Sequence, residues 1–262
     1  MKKFFAVPLA VVFIAACSDS STAPSNTTDL APSYAKPTPP PPVGCTTCTV
    51  DDFYTFDGVG TAAGGTSIGT DLQPGISGTA DAPTVIAAPN GSTHFIGRFE
   101  NTRTIVTMNI PAGYPRYSLA FDFYTIGSWD GRGKQAQNGI FLANVFDLSY
   151  KCGTADAVSI FKTSFSNQLT VQQDYPNAFQ LGGFKAATGS YAVDALGYRN
   201  DPSSNTPVFR SFGDVEYTLT SAGANPCGTA AVQFQVSTSN PTQQSTYDES
   251  WGVDNIHIKA GT

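Results

Sequence analysis

A two-residue alternation of apolar and polar side chains runs through most of this chain and leaves few folds open to it. In the run 116–124, Tyr117, Leu119, Phe121 and Phe123 fall on one side. Successive side chains of a β-strand point to opposite faces, so this spacing predicts a strand with one buried face. The same alternation predicts further strands at 94–99, 104–110, 139–146, 158–165, 214–220, 231–237 and 253–259.

These segments predict an all-β fold, because Gly, Pro and Asn separate them and helical periodicity is hard to find. About eight to ten such strands indicate a two-sheet antiparallel β-sandwich of the jelly-roll type over residues 50–262. Within it, Gln233 and Gln235 are predicted to face solvent, on the side opposite Phe234. The segment 168–188, rich in Gln, Gly and Ala, is predicted to be a long loop or a short helix.

The N-terminus has the pattern of an export signal. Two lysines precede the apolar run 4–15, which is too short to span a bilayer well. The run ends in Ala15, Ala16 and Cys17, and small residues before a cysteine resemble the lipobox of bacterial lipoproteins. The resemblance implies a signal peptide at 1–16 and a lipid on Cys17 that anchors the protein in a membrane. The alternative is an ordinary secretory signal with a chance cysteine.

Residues 17–49 are predicted to form a flexible, disordered tether. Ser, Thr, Ala and Pro dominate this stretch, which cannot bury a core, and the prolines at 39–42 favour an extended polyproline II end. Ser18 resembles the residue that follows the lipidated cysteine in lipoproteins sorted to the outer membrane. The predicted localisation is therefore the bacterial cell envelope, with the domain in the periplasm or on the surface. A Pro-rich peptide ligand for a partner is the alternative for this stretch.

Four cysteines besides Cys17 predict disulfides, because the chain is exported and the count is even. Of the three pairings open to four cysteines, we favour Cys45–Cys48 and Cys152–Cys227, since the latter two each precede a glycine at a loop-like end. The alternative for Cys45 and Cys48 is a zinc or redox site. That site would lack a second Cys pair and a nearby His.

The two tryptophans lie in near copies of one short motif. Residues 128–131 read Ser-Trp-Asp-Gly, and residues 248–252 read Asp-Glu-Ser-Trp-Gly. We expect these two segments to meet in the fold and to form one polar edge. Aromatic faces beside polar groups suit a sugar ring. The residues predicted to bind such a ligand are Trp129, Trp251, Tyr247 and Tyr124.

Acidic residues near the two motifs predict a calcium site, because calcium takes six to eight oxygen ligands from carboxylates, amides and carbonyls. Asp254 is the best candidate. Its parity in the last strand places it with Ile256 and Ile258 on the inward face, unless a bulge near 254–255 turns it outward. The alternative is that the acids accept backbone N–H groups and the tryptophans are core. The predicted ligands are Asp57, Asp130, Asp248, Glu249, Asp254 and Asn255.

Composition excludes several other functions. The formal net charge of −6 argues against a nucleic-acid partner, whose binding depends on Lys and Arg. His94 and His257 are the only histidines, so a three-His zinc site is excluded. No phosphate-binding glycine motif is present. A glycosidase that uses Asp130 and Glu249 as its carboxylate pair is retained as an alternative.

Several segments, in order, resemble a set of bacterial secreted β-sandwich modules with an SWDG segment and a closing DESWG-(I/V)-DN strand. More distantly, the chain is similar to lectin-type and carbohydrate-binding jelly rolls, in which an acid on the last strand helps to hold a structural calcium. The resemblance implies a calcium-stabilised, non-catalytic module that binds glycans or another surface macromolecule. A structural or adhesive envelope module is the second interpretation. The chain departs from the pattern after Gly131, where Arg-Gly-Lys-Gln replaces a shorter turn. The segments that carry the resemblance are 95–99, 118–124, 128–131, 163–167 and 248–255.

Overall fold

A computed structural model describes residues 47–57, 65–78, 83–100, 102–132, 143–200, 212–239 and 248–262. All of them belong to one compact unit, Pro39–Thr262. The predicted signal peptide, Cys17, Cys45, Tyr247 and nearly all of the tether lie outside the described residues. Within the described ranges, none of the helical structure is long and apolar enough to cross a membrane.

The described residues form twelve strands in two antiparallel sheets, which confirms the predicted all-β sandwich. The first sheet has the order β3–β4–β12–β6–β10–β9, and β1 pairs with β12 beside β4; the second has the order β2–β5–β11–β7–β8. The strands are β1 (Cys48–Tyr54), β2 (Ser67–Leu72), β3 (Val85–Ala87), β4 (His94–Glu100), β5 (Thr104–Ile110), β6 (Arg116–Gly127), β7 (Val145–Lys151), β8 (Val158–Ser164), β9 (Ala192–Val193), β10 (Asp214–Ala224), β11 (Val232–Ser239) and β12 (Glu249–Gly261).

The core lies between the two sheets and contains the apolar faces that the alternation predicts. Leu119, Phe121 and Phe123 of the seven-stranded sheet belong to the same buried cluster as Phe146 and Phe234 of the five-stranded sheet. The long strands alternate between the sheets, with β4, β6, β10 and β12 in one and β5, β7 and β11 in the other. This alternation is typical of a jelly roll.

Two sequence predictions differ from the structure in position. The strand predicted at 139–146 is instead β7, Val145–Lys151. The last strand begins at Glu249 rather than Val253, because the second Ser-Trp motif is itself part of β12. The segment 168–188 is confirmed as a long loop of turns and isolated bridges.

A bulge in β12 decides which way Asp254 points. The pairing of β12 with β6 shifts register between Asp254 and His257, and Asn255 has a φ of 49°. The extra residue lets Val253, Ile256 and Ile258 all face the core. Asp254 therefore lies on the outer face of the seven-stranded sheet, which confirms the bulge and not the inward alternative.

The outer face of the seven-stranded sheet carries a second, smaller buried cluster that includes Phe95, Tyr124, Leu196 and Tyr198. The carboxylate of Asp214 accepts hydrogen bonds from the backbone N–H groups of Leu196 (2.8 Å) and Tyr198 (3.0 Å). Asp214 thus fixes the loop after β9 against the sheet.

One predicted disulfide is present between described residues. Cys152 and Cys227 are bonded, with their Cα atoms 5.6 Å apart, as predicted. Cys48 is also disulfide-bonded. Its predicted partner, Cys45, lies outside the described residues, so that pairing stays a prediction.

Candidate functional site

The two Ser-Trp motifs are neighbours in space, as the sequence predicts. Glu249 pairs with Gly127 in the antiparallel β12–β6 ladder, so the second motif lies beside the turn that carries the first. The N–H of Ser128 donates to the carbonyl of Asp248 (2.8 Å), and the indole N–H of Trp129 donates to the carbonyl of Ser250 (2.9 Å). These bonds lock the end of β6 against the start of β12.

The aromatic rings predicted to bind a sugar are buried. Trp129 and Trp251 both have 0% of their surface exposed, and each ring centroid lies 5.9 Å from that of Phe123 in the core. Tyr124 is 2% exposed and packs against Phe95. The prediction of a sugar-stacking platform is therefore wrong for these three residues, because core neighbours already cover their faces. Tyr247 lies outside the described residues.

Three of the predicted calcium ligands, Asp130, Asp248 and Glu249, belong to the tryptophan motifs themselves. Asn144 donates to the Glu249 carboxylate (2.6 Å), and Ser128 donates to that of Asp248 (2.6 Å). Asp130 accepts a short hydrogen bond from Gln168. The carboxylates of the proposed glycosidase pair, Asp130 and Glu249, thus both hold neighbouring loop amides in place. The alternative interpretation also gave the acids a structural role, but with backbone N–H groups as donors rather than these side-chain amides.

The other three predicted ligands, Asp57, Asp254 and Asn255, form a second group, here called the Asp254 group together with Thr93 and Asp122. The Thr93 hydroxyl lies 3.2 Å from Oδ2 of Asp57 and 2.9 Å from Oδ2 of Asp254. The Asn255 amide donates to Asp122 (2.7 Å) and to Asp254 (3.2 Å). Four segments that are distant in sequence therefore meet at these oxygens.

A single site that contains all six predicted ligands is wrong. Glu249 and Asp254 are five positions apart in β12, about 16 Å at the usual rise of a strand, and their side chains have opposite parity. Among the described residues, no group of three or more His, Cys, Asp or Glu side chains is close enough to hold a metal ion. A cation in the Asp254 group would therefore need hydroxyl, carbonyl or water oxygens as well.

The electrostatics of the outer face reflect this concentration of acids. Burial raises the pKa of the Tyr124 hydroxyl well above its ordinary value, and the carboxylates of Glu216 and Asp254 raise it further. At Asp57, burial opposes ionisation, but hydrogen bonds from His94 and Thr93 outweigh it, so the pKa of this carboxyl lies below its ordinary value. Asp57 is therefore an anion at neutral pH.

The five-stranded sheet presents a polar row on its outer face. Cross-strand pairing aligns Ser67 of β2, Asn109 of β5, Gln233 of β11 and Lys151 of β7. The row crosses four strands, about 14 Å at the usual strand spacing. We call these four residues the amide face.

Hydrogen bonds fix the orientation of the side-chain amides in this row. Gln235 is buried and lies beside the row, two positions along β11 from Gln233, and it donates to Oε1 of Gln233 (2.8 Å). Gln233 then donates to Oδ1 of Asn109 (3.0 Å), and Asn109 donates to the Ser67 hydroxyl (3.2 Å). The result is a pre-oriented chain of donors and acceptors along one surface.

A cleft of about 410 Å³ opens beside the amide face, and Asn109, Lys151, Gln233 and Asp71 line it with several small or apolar residues. Its volume lies within the range of small-molecule sites, about 300–1,000 Å³. The sequence correctly predicts that Gln233 faces solvent, but Gln235, for which the same is predicted, is buried and hydrogen-bonded to Gln233. The sequence did not identify this row, because the alignment of Ser67, Asn109 and Lys151 depends on strand register.

No protein-family model matches the chain, and no curated protein matches it in sequence. Solved structures that are similar in fold include TmCBM61 in complex with β-1,4-galactotriose, which is 8% identical with a TM-score of 0.32, over 67% of this chain and 79% of that chain. The xylan-binding module CBM15 is 7% identical with a TM-score of 0.35, over 75% and 97% of the two chains. A cleaved adhesin domain of Lys-gingipain from Porphyromonas gingivalis is 12% identical with a TM-score of 0.35, over 81% and 99%. At such low identity the likeness concerns the β-sandwich fold alone.

Proposed function

We propose that this protein is a non-catalytic glycan-binding module whose ligand lies along the amide face of the five-stranded sheet. The observation that carries the proposal is the hydrogen-bonded row Ser67–Asn109–Gln233, which lies beside the 410 Å³ cleft. Each side-chain amide has two donor hydrogens and an acceptor oxygen, so a fixed row of them matches the hydroxyl groups of a saccharide. The length of the row favours an oligosaccharide over a single sugar.

The charges around the cleft favour a neutral glycan. Lys151 and Asp71, which both line the cleft, carry opposite charges. Amide recognition is directional, and hydrogen bonds held in place before binding lose little conformational entropy when the ligand arrives. A neutral saccharide therefore fits this surface better than an anionic one.

Calorimetry with the purified domain tests this proposal, with the strongest hit of a neutral-glycan array as ligand. Asn109→Ala and Gln233→Ala each remove one hydrogen-bonding partner, about 1–1.5 kcal/mol, or roughly tenfold in affinity. Thr220→Ala is the matched control, since Thr220 is an exposed strand residue of the other sheet, and it should bind like wild type. Binding that is unchanged in both amide variants, or no binding on the array, would refute the proposal.

A calcium ion in the Asp254 group is part of the same proposal, with Asp57, Asp254 and Thr93 as its protein ligands. The support is the approach of carboxylate oxygens from two distant segments to one hydroxyl. Thr93 Oγ1 lies 3.2 Å from Oδ2 of Asp57 and 2.9 Å from Oδ2 of Asp254, and carboxylate and hydroxyl oxygens are the kind of ligand that calcium takes. A bound cation would link β12 to Asp57 in the segment after β1 and to Thr93 just before β4.

The proposal also gives the domain a place in the cell. A lipid on Cys17 would hold it at the bacterial outer membrane, in the periplasm or on the surface, and residues 17–49 would serve as the tether. Two or three acyl chains would anchor it firmly, because each buried methylene contributes about 0.8 kcal/mol. The support for this part is the sequence pattern at residues 1–18.

A further inference from the structure

The turn after Trp129 and the long loop 168–188 enclose a pocket of about 340 Å³, lined by Arg132, Asp174, Phe179 and Gln180. None of these residues belongs to the amide face. Arg132 begins the Arg-Gly-Lys-Gln stretch by which the sequence departs from the modules that it resembles. We call this the Arg132 pocket.

Close backbone packing holds Arg132 in place. Gly131 has a φ of 59°, and a Cβ atom there would lie 2.2 Å from the carbonyl oxygen of Gln172. Only glycine therefore lets the turn approach the loop so closely. The next residue, Arg132, donates its backbone N–H to that same carbonyl (2.8 Å). The base of the arginine side chain is thereby fixed to the long loop.

The buried carboxylate of Asp174 orients the guanidinium of Arg132. Its Nε lies 3.2 Å from Oδ1 of Asp174, and its Nη1 donates to the carbonyl of Gly182 (2.6 Å). Asp174 also accepts hydrogen bonds from the Gly182 N–H (3.0 Å) and from the Ser164 hydroxyl (2.8 Å). Its carboxylate is therefore well satisfied from within the protein.

The pocket suits an anion because Arg132 is exposed to a ligand while Asp174, the acid that pairs with it, is buried. The Asp174 side chain is 1% exposed, whereas that of Arg132 is 39% exposed. A ligand therefore meets the free edge of the guanidinium rather than the carboxylate. An arginine fork matches a carboxylate by two parallel N–H···O bonds. Such a cationic surface stands out in a chain of net charge −6.

An aromatic ring lies beside this cation. Phe179 lines the pocket, and the ammonium of Lys162 lies 6.0 Å from its ring centroid. The exposed amide of Gln180 adds hydrogen-bonding capacity. Inorganic phosphate or sulfate would leave the Phe179 ring uncovered. A sugar acid would place its ring against Phe179 and its carboxylate against Arg132.

From these contacts we infer that the Arg132 pocket binds a carboxylate-bearing sugar of the uronate class. Arg132 pairs with the carboxylate, Phe179 contacts the apolar face of the sugar ring, and Lys162 adds long-range attraction. This site is independent of the amide face, which was assigned a neutral glycan.

Titration calorimetry with a trimer of galacturonate tests the inference, and the matching trimer of galactose is the neutral control ligand. The galacturonate trimer should bind wild-type protein, and its affinity should fall as sodium chloride is raised. Arg132→Lys keeps the charge but loses the fork, and Phe179→Ala removes the ring. Each should weaken binding tenfold or more, while Thr220→Ala, at an exposed residue of β10, should have no effect.

Melting temperatures are measured for both variants, because Arg132→Lys also changes the partner of a buried carboxylate. If that variant is destabilised, Phe179→Ala and Lys162→Gln decide the outcome, since neither side chain forms a hydrogen bond or ion pair with Asp174 among the described residues. No binding of galacturonate at millimolar concentration would overturn the inference. So would equal affinity for inorganic phosphate, binding of the galactose trimer that Phe179→Ala weakens as much as it weakens galacturonate binding, or unchanged galacturonate binding in folded Phe179→Ala and Lys162→Gln variants.

Discussion

Trp129 donates its indole N–H to the backbone carbonyl of Ser250 at 2.9 Å, although 121 residues separate the two in sequence. Both residues are fully buried, so the carbonyl has no access to bulk water. Trp129→Phe keeps an aromatic ring but leaves this carbonyl without its donor, which costs about 1–3 kcal/mol. We expect the free energy of unfolding in urea to fall by at least this amount.

Trp251→Phe is the matched control for this substitution. It makes the same change in volume, but the Trp251 indole donates to the Glu100 carbonyl over a longer distance, 3.3 Å. We therefore expect the smaller loss at Trp251. Equal losses in the two variants would mean that ring volume, rather than the hydrogen bond, determines the effect.

The Cys152–Cys227 disulfide should be the larger of the two covalent contributions to stability. It closes a loop with a sequence separation of 75. Loop-closure entropy for such a loop predicts a stabilisation of about 4 kcal/mol. The double variant Cys152→Ser/Cys227→Ser should lose about that much in urea denaturation. Cys45→Ser/Cys48→Ser should lose less, because its predicted loop is far shorter. The reverse order would contradict the predicted pairing.

Local periodicity explains what the sequence could predict. The alternation around Phe121 and Phe123 depends only on the side-chain period of a strand, so it identified the core faces correctly. The repeated Ser-Trp motif indicated that Trp129 and Trp251 are neighbours. It could not show that both rings are buried, because a motif carries no information on the residues that cover it.

Strand register explains what the sequence could not predict. Asn109 and Gln233 are hydrogen-bonded partners, but the register that pairs β5 with β11 depends on packing across the whole sheet. In the same way, five acids and Asn255 are predicted to share one metal site, but β12 places Glu249 and Asp254 at different heights and on opposite faces of the sheet. Single-residue shifts of register change such groupings completely.

Lipidation of Cys17 is tested in a bacterial host by metabolic labelling with a radioactive fatty acid. Wild-type protein should carry the label and fractionate with membranes, because its acyl chains partition into the bilayer. Cys17→Ser should carry no label and should lose membrane association. Cys48→Ser is a control that should still be labelled. An unlabelled, soluble wild-type protein would contradict the lipoprotein prediction and favour an ordinary secretory signal.

Calcium should stabilise the folded domain through the Asp254 group. A ligand at 100 times its dissociation constant stabilises the native state by about 2.7 kcal/mol. Chelation should therefore lower the melting temperature of wild type, and added calcium should restore it. Asp254→Asn should abolish this response, while Asp156→Asn, at an exposed residue on the other sheet's β7–β8 turn, should retain it. A melting temperature of the wild-type protein that does not change on chelation would contradict the proposed calcium site.

Asp214 should make stability depend on pH in a direction unusual for a carboxylate. Burial raises the pKa of Asp214 from 3.8 to about 6, and the hydrogen bonds from Leu196 and Tyr198 offset only part of this effect. The folded state therefore favours the protonated form more than the unfolded chain does. The stability gained in this way is fully present below the unfolded pKa and is lost as pH rises through about 6.

Comparison of wild type with Asp214→Asn isolates this effect, because other titrating groups are common to both proteins. A pKa difference of this size corresponds to about 3 kcal/mol. Asp214→Asn also alters the bonds to Leu196 and Tyr198, but that contribution is independent of pH. Urea denaturation at intervals from about pH 4 to about pH 7 should therefore show wild type losing most of this, about 2 kcal/mol, relative to the variant. A difference that stays constant over this range, or that favours wild type as pH rises, would mean that Asp214 ionises freely where it holds the loop after β9.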